Sequence, residues 1–181
     1  PPFTVRAREH WHRVECNGIS LRTRIDRIDE LADGRIIIMD YKTGMAKIKQ
    51  WFSDRPDDPQ LPLYAINAEG ELAALAFVRV QKDNVGYLGL AREHDLLPGV
   101  NTVADLRNND NIADWEALLA GWRLTLERLA GDFRQGIATV DPKNSESCRN
   151  CDLHALCRIH ERDSSYELQD TSYEMRDTED E

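Results

Sequence analysis

No apolar run in this 181-residue chain is long enough to cross a bilayer. The longest, Leu72–Val78, falls far short of the roughly 20 residues that a spanning helix needs. The chain does not open with a secretory pattern either. It begins Pro1-Pro2-Phe3 with no Met, and so reads as a piece of a longer protein. Cysteine is scarce: four residues, which without a secretory signal do not read as a disulfide framework and fit a cytoplasmic protein. Basic charge is in short supply as well. Against 33 Asp and Glu stand 23 Lys and Arg, for a net charge of −10, which excludes a broad basic surface as the means of holding a polyanion. Four Trp, five Tyr, four Phe and long aliphatic runs are present in turn, and they exclude disorder for the body of the chain. The length suits one compact domain with a tail.

The acidity is unevenly spread. Residues 161–181 hold nine acids against Arg162 and Arg176, a net of −7, which leaves −3 for the 160 residues before them. With little apolar periodicity, that stretch reads as a flexible, solvated tail. Upstream, Thr4–Glu15, Ile19–Leu31 and Arg35–Tyr41 read as strands joined by turns at Asn17-Gly18 and Asp33-Gly34, an antiparallel meander. Alternation places Leu21, Thr23, Ile25 and Arg27 on one face, and Arg22, Arg24, Asp26 and Ile28 on the other. Thr43–Pro59 reads as a loop and Gln60–Glu69 as a helix with Pro62 in its first turn. Ala73–Val80 and Val85–Leu90 are two further strands, and Asn101–Asn111 is a polar connection. Ile112, Trp115, Leu119, Trp122, Leu126, Leu129 and Phe133 step by three and four, the stripe of a long amphipathic helix with both Trp in the core.

Chemistry concentrates between residues 24 and 64. Asp40 and Lys42 are two apart on a strand and leave it on the same face. The Asp33-Gly34 hairpin brings Asp26 alongside Asp40. Two neighbouring carboxylates repel unless a cation joins them; a hard divalent ion does so while keeping waters and accepting phosphate oxygens. A lysine beside it can orient or help deprotonate a bound water, or stabilise charge on pentavalent phosphorus. Without a metal, Asp40 and Lys42 can instead simply pair.

The runs Ile25-Asp26-Arg27-Ile28-Asp29, Asp40-Tyr41-Lys42-Thr43-Gly44 and Gln60-Leu61-Pro62-Leu63-Tyr64 come in an order that resembles the PD-(D/E)XK nuclease superfamily. The RecB-like and AddB-type branch of helicase–nuclease recombination proteins is the nearest match, over roughly residues 3–160. The resemblance implies an α/β, restriction-endonuclease-like core, a mixed sheet flanked by helices, over residues 1–140. It further implies Mg²⁺- or Mn²⁺-dependent hydrolysis of DNA, single-stranded or at duplex ends, by an exonuclease working with a helicase in recombination and repair. Asp26, Asp40 and the backbone carbonyl of Tyr41 would hold metal. Lys42 would be the catalytic lysine, and Gln60 and Tyr64 would position the site. Asp29, on the opposite face from Asp26, fits a salt bridge better. The family's upstream helix, which supplies a further acid or His, is expected before Pro1; Glu9, His10 and His12 are on a strand and are not assigned that role. The alternative is an inactive nuclease-fold module for DNA binding or assembly.

Cys148, Cys151 and Cys157 form a Cys-x₂-Cys-x₅-Cys cluster in a segment spanning residues 141–160. Thiolates at this spacing suit zinc, with His154 or His160 as fourth ligand, or an iron–sulfur cluster. The AddB-type resemblance implies [4Fe–4S], its fourth Cys expected upstream of Pro1. Cys16 is the candidate within this sequence, with an ordinary strand position as the other reading. Free thiols without metal are a third possibility. Finally, Trp51-Phe52 with Lys47, Lys49 and Arg55 can form either a stacking and phosphate-contact loop for single-stranded DNA or a hydrophobic cover over the sheet.

Overall fold

The computed structural model describes residues 1–82, 84–106 and 112–159. The acidic stretch 161–181 and His160 lie outside the described residues. The chain divides into two units, Pro1–Ile137 and Ala138–Glu181.

The first unit is built on a six-stranded mixed sheet of order β1-β2-β3-β4-β5-β6. The expected meander is β1 (Phe3–Cys16), β2 (Ile19–Leu31) and β3 (Ile36–Lys42), paired antiparallel. Asn17 and Gly18, with φ of 42° and 77°, close the first hairpin as a primed turn, whose twist matches that of its strands. Gln60–Ile66 forms α1, shorter than its spacing predicts because the chain leaves the helix at Asn67. The chain then crosses over to β4 (Leu72–Gln81), parallel to β3, and returns in β5 (Asn84–Ala91). β4 lies between β3 and β5 and reads as a continuous buried run, as a central strand should. At Gly89 a Cβ would stand 2.0 Å from the Leu75 carbonyl oxygen, so only glycine allows β4 and β5 to approach here. The expected polar connection after residue 100 contains a two-residue strand, β6 (Asn101–Thr102), and a capped 3₁₀ turn.

The long helix is α2 (Trp115–Arg134), started by Asp114, whose side chain accepts from the Ala117 amide at 2.8 Å. Trp115, Leu118, Trp122 and Leu126 fill its buried stripe, but Phe133, expected to continue it, is 77% exposed beyond the packed part of the helix. Helices α1 and α2 pack over one face of the sheet, on Ile36, Ile38, Leu75 and Phe77. The opposite face, with Ile37, Met39, Ala74 and Ala76, is covered by Leu96 and Val100 from the segment after β5.

One local departure from strand alternation matters for the site. Strict alternation separates Ile25 from Ile28, yet both pack into the helix-covered cluster. The β1–β2 ladder runs through Arg8↔Arg27 and His10↔Ile25 but omits the pair Glu9–Asp26 between them, and Glu9 has φ of 45°. Across this point β2 changes which face its alternate residues present, while the register of the ladder shifts elsewhere, between Val5 and Ala7.

The second unit, described to Ile159, carries two single-turn helices, α3 (Glu146–Arg149) and α4 (His154–Cys157). Among the described residues no helix is long and apolar enough to cross a membrane.

Candidate active site

Asp40 stands near the end of β3, on the face that α1 covers, and is only 4% exposed. Gln60 and Lys42 contact its carboxylate, and Tyr64 and Asp58 support these two in turn. Gln60, the first residue of α1, donates from Nε2 to Asp40 Oδ1 at 2.8 Å. The same nitrogen donates to Tyr64 Oη at 3.2 Å, one helical turn on. Tyr64 in turn donates to the Arg24 carbonyl of β2 at 3.1 Å. A chain of hydrogen bonds thus runs from β2 through α1 to β3 and fixes the carboxylate. Lys42 Nζ is 3.1 Å from Asp40 Oδ2, 3.5 Å from Asp58 Oδ2 and 3.5 Å from Gln60 Oε1, and it lies over the Phe77 ring.

The pair is electrostatically lopsided. At Asp40 burial raises the carboxyl pKa, reinforced by Asp26 and Asp58, and outweighs the ion pair with Lys42. At Lys42 burial opposes the charge, but Asp40 and Asp58 prevail and its pKa is raised. Tyr64 is held phenolic, its pKa raised chiefly by burial. Asp40 Oδ2, though 3.1 Å from the ammonium, is buried without a well-formed hydrogen bond. A buried carboxylate oxygen in that condition is costly unless something further takes it up.

Asp26 reaches the same corner from β2. Its Oδ2 accepts from the Tyr41 amide at 2.9 Å, and its charge acts on Asp40. Asp26, Asp40, Lys42, Gln60 and Tyr64, far apart in the chain, are therefore brought together. The backbone of Tyr41 joins them between Asp40 and Lys42, while its side chain is 45% exposed. Asp58 is the member that sequence reasoning missed; it lies in a loop, and its only signal is its place two residues before Gln60. Asp29 points to the other face and is buried against Arg27, which donates to it through Nε at 2.8 Å and Nη2 at 2.9 Å. His10 and His12 line a cavity of about 280 Å³ together with Tyr64.

Among the described residues, no three His, Cys, Asp or Glu side chains gather as a set of metal ligands. Mg²⁺ does not need a dedicated cage: one or two carboxylates, waters and substrate phosphates complete its shell. The under-bonded Asp40 Oδ2 beside Asp26 fits such an ion. The thiols fit their group less well. All four cysteines are free. Cys16 is a core residue, 5% exposed, its pKa raised by burial and by Glu127, in keeping with an ordinary strand position. Cys151 Sγ accepts from the Leu153 amide, Cys157 Sγ donates to the His154 carbonyl, and the His154 ring bonds the Cys148 carbonyl. Among the described residues, Cys148, Cys151 and Cys157 are not gathered as a ligand set.

Of the two readings of the Trp51-Phe52 segment, Trp51 takes that of a hydrophobic cover over the sheet. Trp51 ends a 3₁₀ turn (Ile48–Trp51) and is fully buried, 5.1 Å from the Phe77 ring and 6.1 Å from that of Trp122. Its apolar area is worth more inside than its indole N–H loses by having no partner, and no base can reach it. Lys47 and Lys49 remain exposed, and Arg55 is half-buried.

A carboxylate pair from adjacent strands, a lysine two residues beyond the second acid, and a helix that clamps that acid agree with what family comparison gives. The profile of the PD-(D/E)XK nuclease superfamily matches residues 2–158. No curated protein and no solved structure matches the chain. A family match over so much of the sequence is decisive: the chain belongs to the PD-(D/E)XK nuclease superfamily.

Proposed function

We propose that this domain hydrolyses DNA phosphodiester bonds with Mg²⁺ or Mn²⁺ as an exonuclease, within a cytoplasmic RecB-like or AddB-type helicase–nuclease of recombination and repair. The observation that carries the reading is Asp40: buried, clamped through Oδ1, and with Oδ2 left without a proper hydrogen bond beside Asp26 and Lys42. Asp26, Asp40 and the Tyr41 carbonyl would hold the ion. When bound, it would supply an activated water and neutralise phosphate charge.

The protein's own groups have distinct tasks. Gln60 keeps Asp40 in one rotamer, and Tyr64, anchored on Arg24, keeps Gln60 in place. Lys42, paired with Asp40 and Asp58, would serve as a cation beside the reacting phosphate and stabilise charge there. Asp58, 3.5 Å from that ammonium, helps to hold it in place. The core over residues 1–140 would do the chemistry. Cys148, Cys151 and Cys157, which are not gathered as ligands in this structure, would supply three ligands to a structural [4Fe–4S] cluster once an iron–sulfur group draws them together.

The test is cleavage of end-labelled linear and circular DNA by full-length protein with and without Mg²⁺, alongside Asp40→Ala and Lys42→Ala. Linear DNA degraded while circular DNA is spared, with both variants reduced about 100-fold or more, is the expected result. No cleavage by the wild type, or equal cleavage by the variants, defeats the enzyme reading. Iron analysis and the visible spectrum of anaerobically purified protein test the cluster independently.

A further inference from the structure

The outer face of the β1–β2 hairpin carries a second constellation that the carboxylate site does not use. Trp11 stands directly opposite Arg24 in the ladder, and Arg13 directly opposite Arg22, so the four side chains share one face. The alternate positions His12, Val14 and Cys16 face the other way, toward the helices. The Arg22 guanidinium lies 4.2 Å from the centre of the Trp11 ring, and that of Arg24 6.0 Å. Trp11 is nonetheless 55% exposed, while Trp51, Trp115 and Trp122 are at most 4% exposed.

The arrangement sets a cross-strand arginine pair beside a cation–π contact. Like charges directly opposite one another on a sheet repel, and among the described residues neither Arg13 nor Arg22 has a carboxylate partner. Arg24 has only the exposed Glu9 carboxylate, at 3.8 Å. Arginines on an outermost strand can deter edge-to-edge association, but an exposed tryptophan works against that purpose. A polyanion that also offers flat rings accounts for both: arginines for phosphates, an indole for a base. Arg24 links this face to the site. Its guanidinium is on the Trp11 face, its carbonyl holds Tyr64, and it precedes Asp26 by two residues, about 7 Å along the strand.

We propose that this hairpin face is the landing surface for single-stranded nucleic acid, with a base stacked on Trp11 and phosphates on Arg13, Arg22 and Arg24. The surface leads the strand toward Asp26. Its binding chemistry stands by itself, and only its service as a substrate track rests on the nuclease reading.

Since Trp11 is the one exposed indole of the four, its emission reports on contact. Full-length protein in EDTA is titrated with a dT oligonucleotide of about 12 nucleotides, following tryptophan quenching and oligonucleotide anisotropy. Quenching is expected for the single strand, with weaker binding of a blunt duplex. Trp11→Ala is expected to abolish the quench and weaken binding about tenfold or more, and Trp11→Phe to retain most of the affinity. Arg22→Ala with Arg24→Ala is expected to lower the slope of log affinity against log salt by about 1.4. Unchanged binding by these variants, equal binding and quenching by the duplex, or equal binding by a poly-glutamate peptide would each overturn the assignment. Addition of Mg²⁺ separates the two readings. Binding without cleavage keeps this surface and removes the nuclease. Cleavage with binding indifferent to Trp11 and the arginines does the reverse.

Discussion

Two regions of the molecule place a tryptophan near basic side chains, and they put it to opposite uses. Between Lys47 and Arg55 the backbone makes a 3₁₀ turn that drives Trp51 under α2, against Phe77 and Trp122, and leaves Lys47 and Lys49 outside without an aromatic platform. On the β1–β2 hairpin Trp11 stays at the surface, and arginines from the facing strand gather around it. In the first region the basic residues are neighbours in sequence; in the second they are neighbours across a ladder. The difference teaches that an aromatic–basic cluster is made by strand pairing as readily as by local sequence. The carboxylate corner obeys the same rule with opposite charges: Asp26, Asp40, Lys42 and Gln60 come from two strands and a helix.

The comparison can be broken most forcefully by truncating the two indoles. Trp51→Ala is expected to cost about 3–5 kcal/mol of stability, as a cavity in the core, while Trp11→Ala stays within about 0.5 kcal/mol. Urea denaturation of both variants measures this, and equal losses would mean that the assignment of core and surface is wrong. Next in size, Asp40→Ala should reduce cleavage about 100-fold or more while oligonucleotide binding in EDTA persists, which separates the corner from the hairpin. Tyr64→Phe removes the donor to the Arg24 carbonyl and one acceptor of Gln60; a loss of about 1–3 kcal/mol by denaturation is expected, with slower cleavage at saturating DNA. The smallest effect has an unusual sign. Arg13→Glu converts a repelling cross-strand pair with Arg22 into an attracting one, and should raise stability by about 0.2–1 kcal/mol while weakening single-strand binding. A variant that gained stability and kept its affinity would leave the hairpin without the role proposed for it.

Much of the fold was legible in the chain. Asn17-Gly18 and Asp33-Gly34 marked their hairpins because few dipeptides tolerate such turns, and the three-and-four spacing from Trp115 to Leu126 marked α2. Asp40 and Lys42 could be placed on one face from the period of a strand alone. Asp58 could not be found this way. It belongs to an irregular loop, and only the position of α1 brings its carboxylate to Lys42. Nor could the break in alternation near Asp26, which puts Ile25 and Ile28 on the same side.

The sequence by itself determined the order of strands and helices, the family's three motifs and the side chains available for chemistry. These follow from turn residues, from period and from spacing, all of which act over a few residues. Tertiary structure alone decided which tryptophan is buried, that Cys16 is core, and which arginines surround Trp11. It also decided that Asp40 carries a buried, under-bonded oxygen. Burial and cross-strand neighbours depend on segments tens of residues away, and desolvation, which raises the pKa of Asp40, exists only once those segments have closed around it.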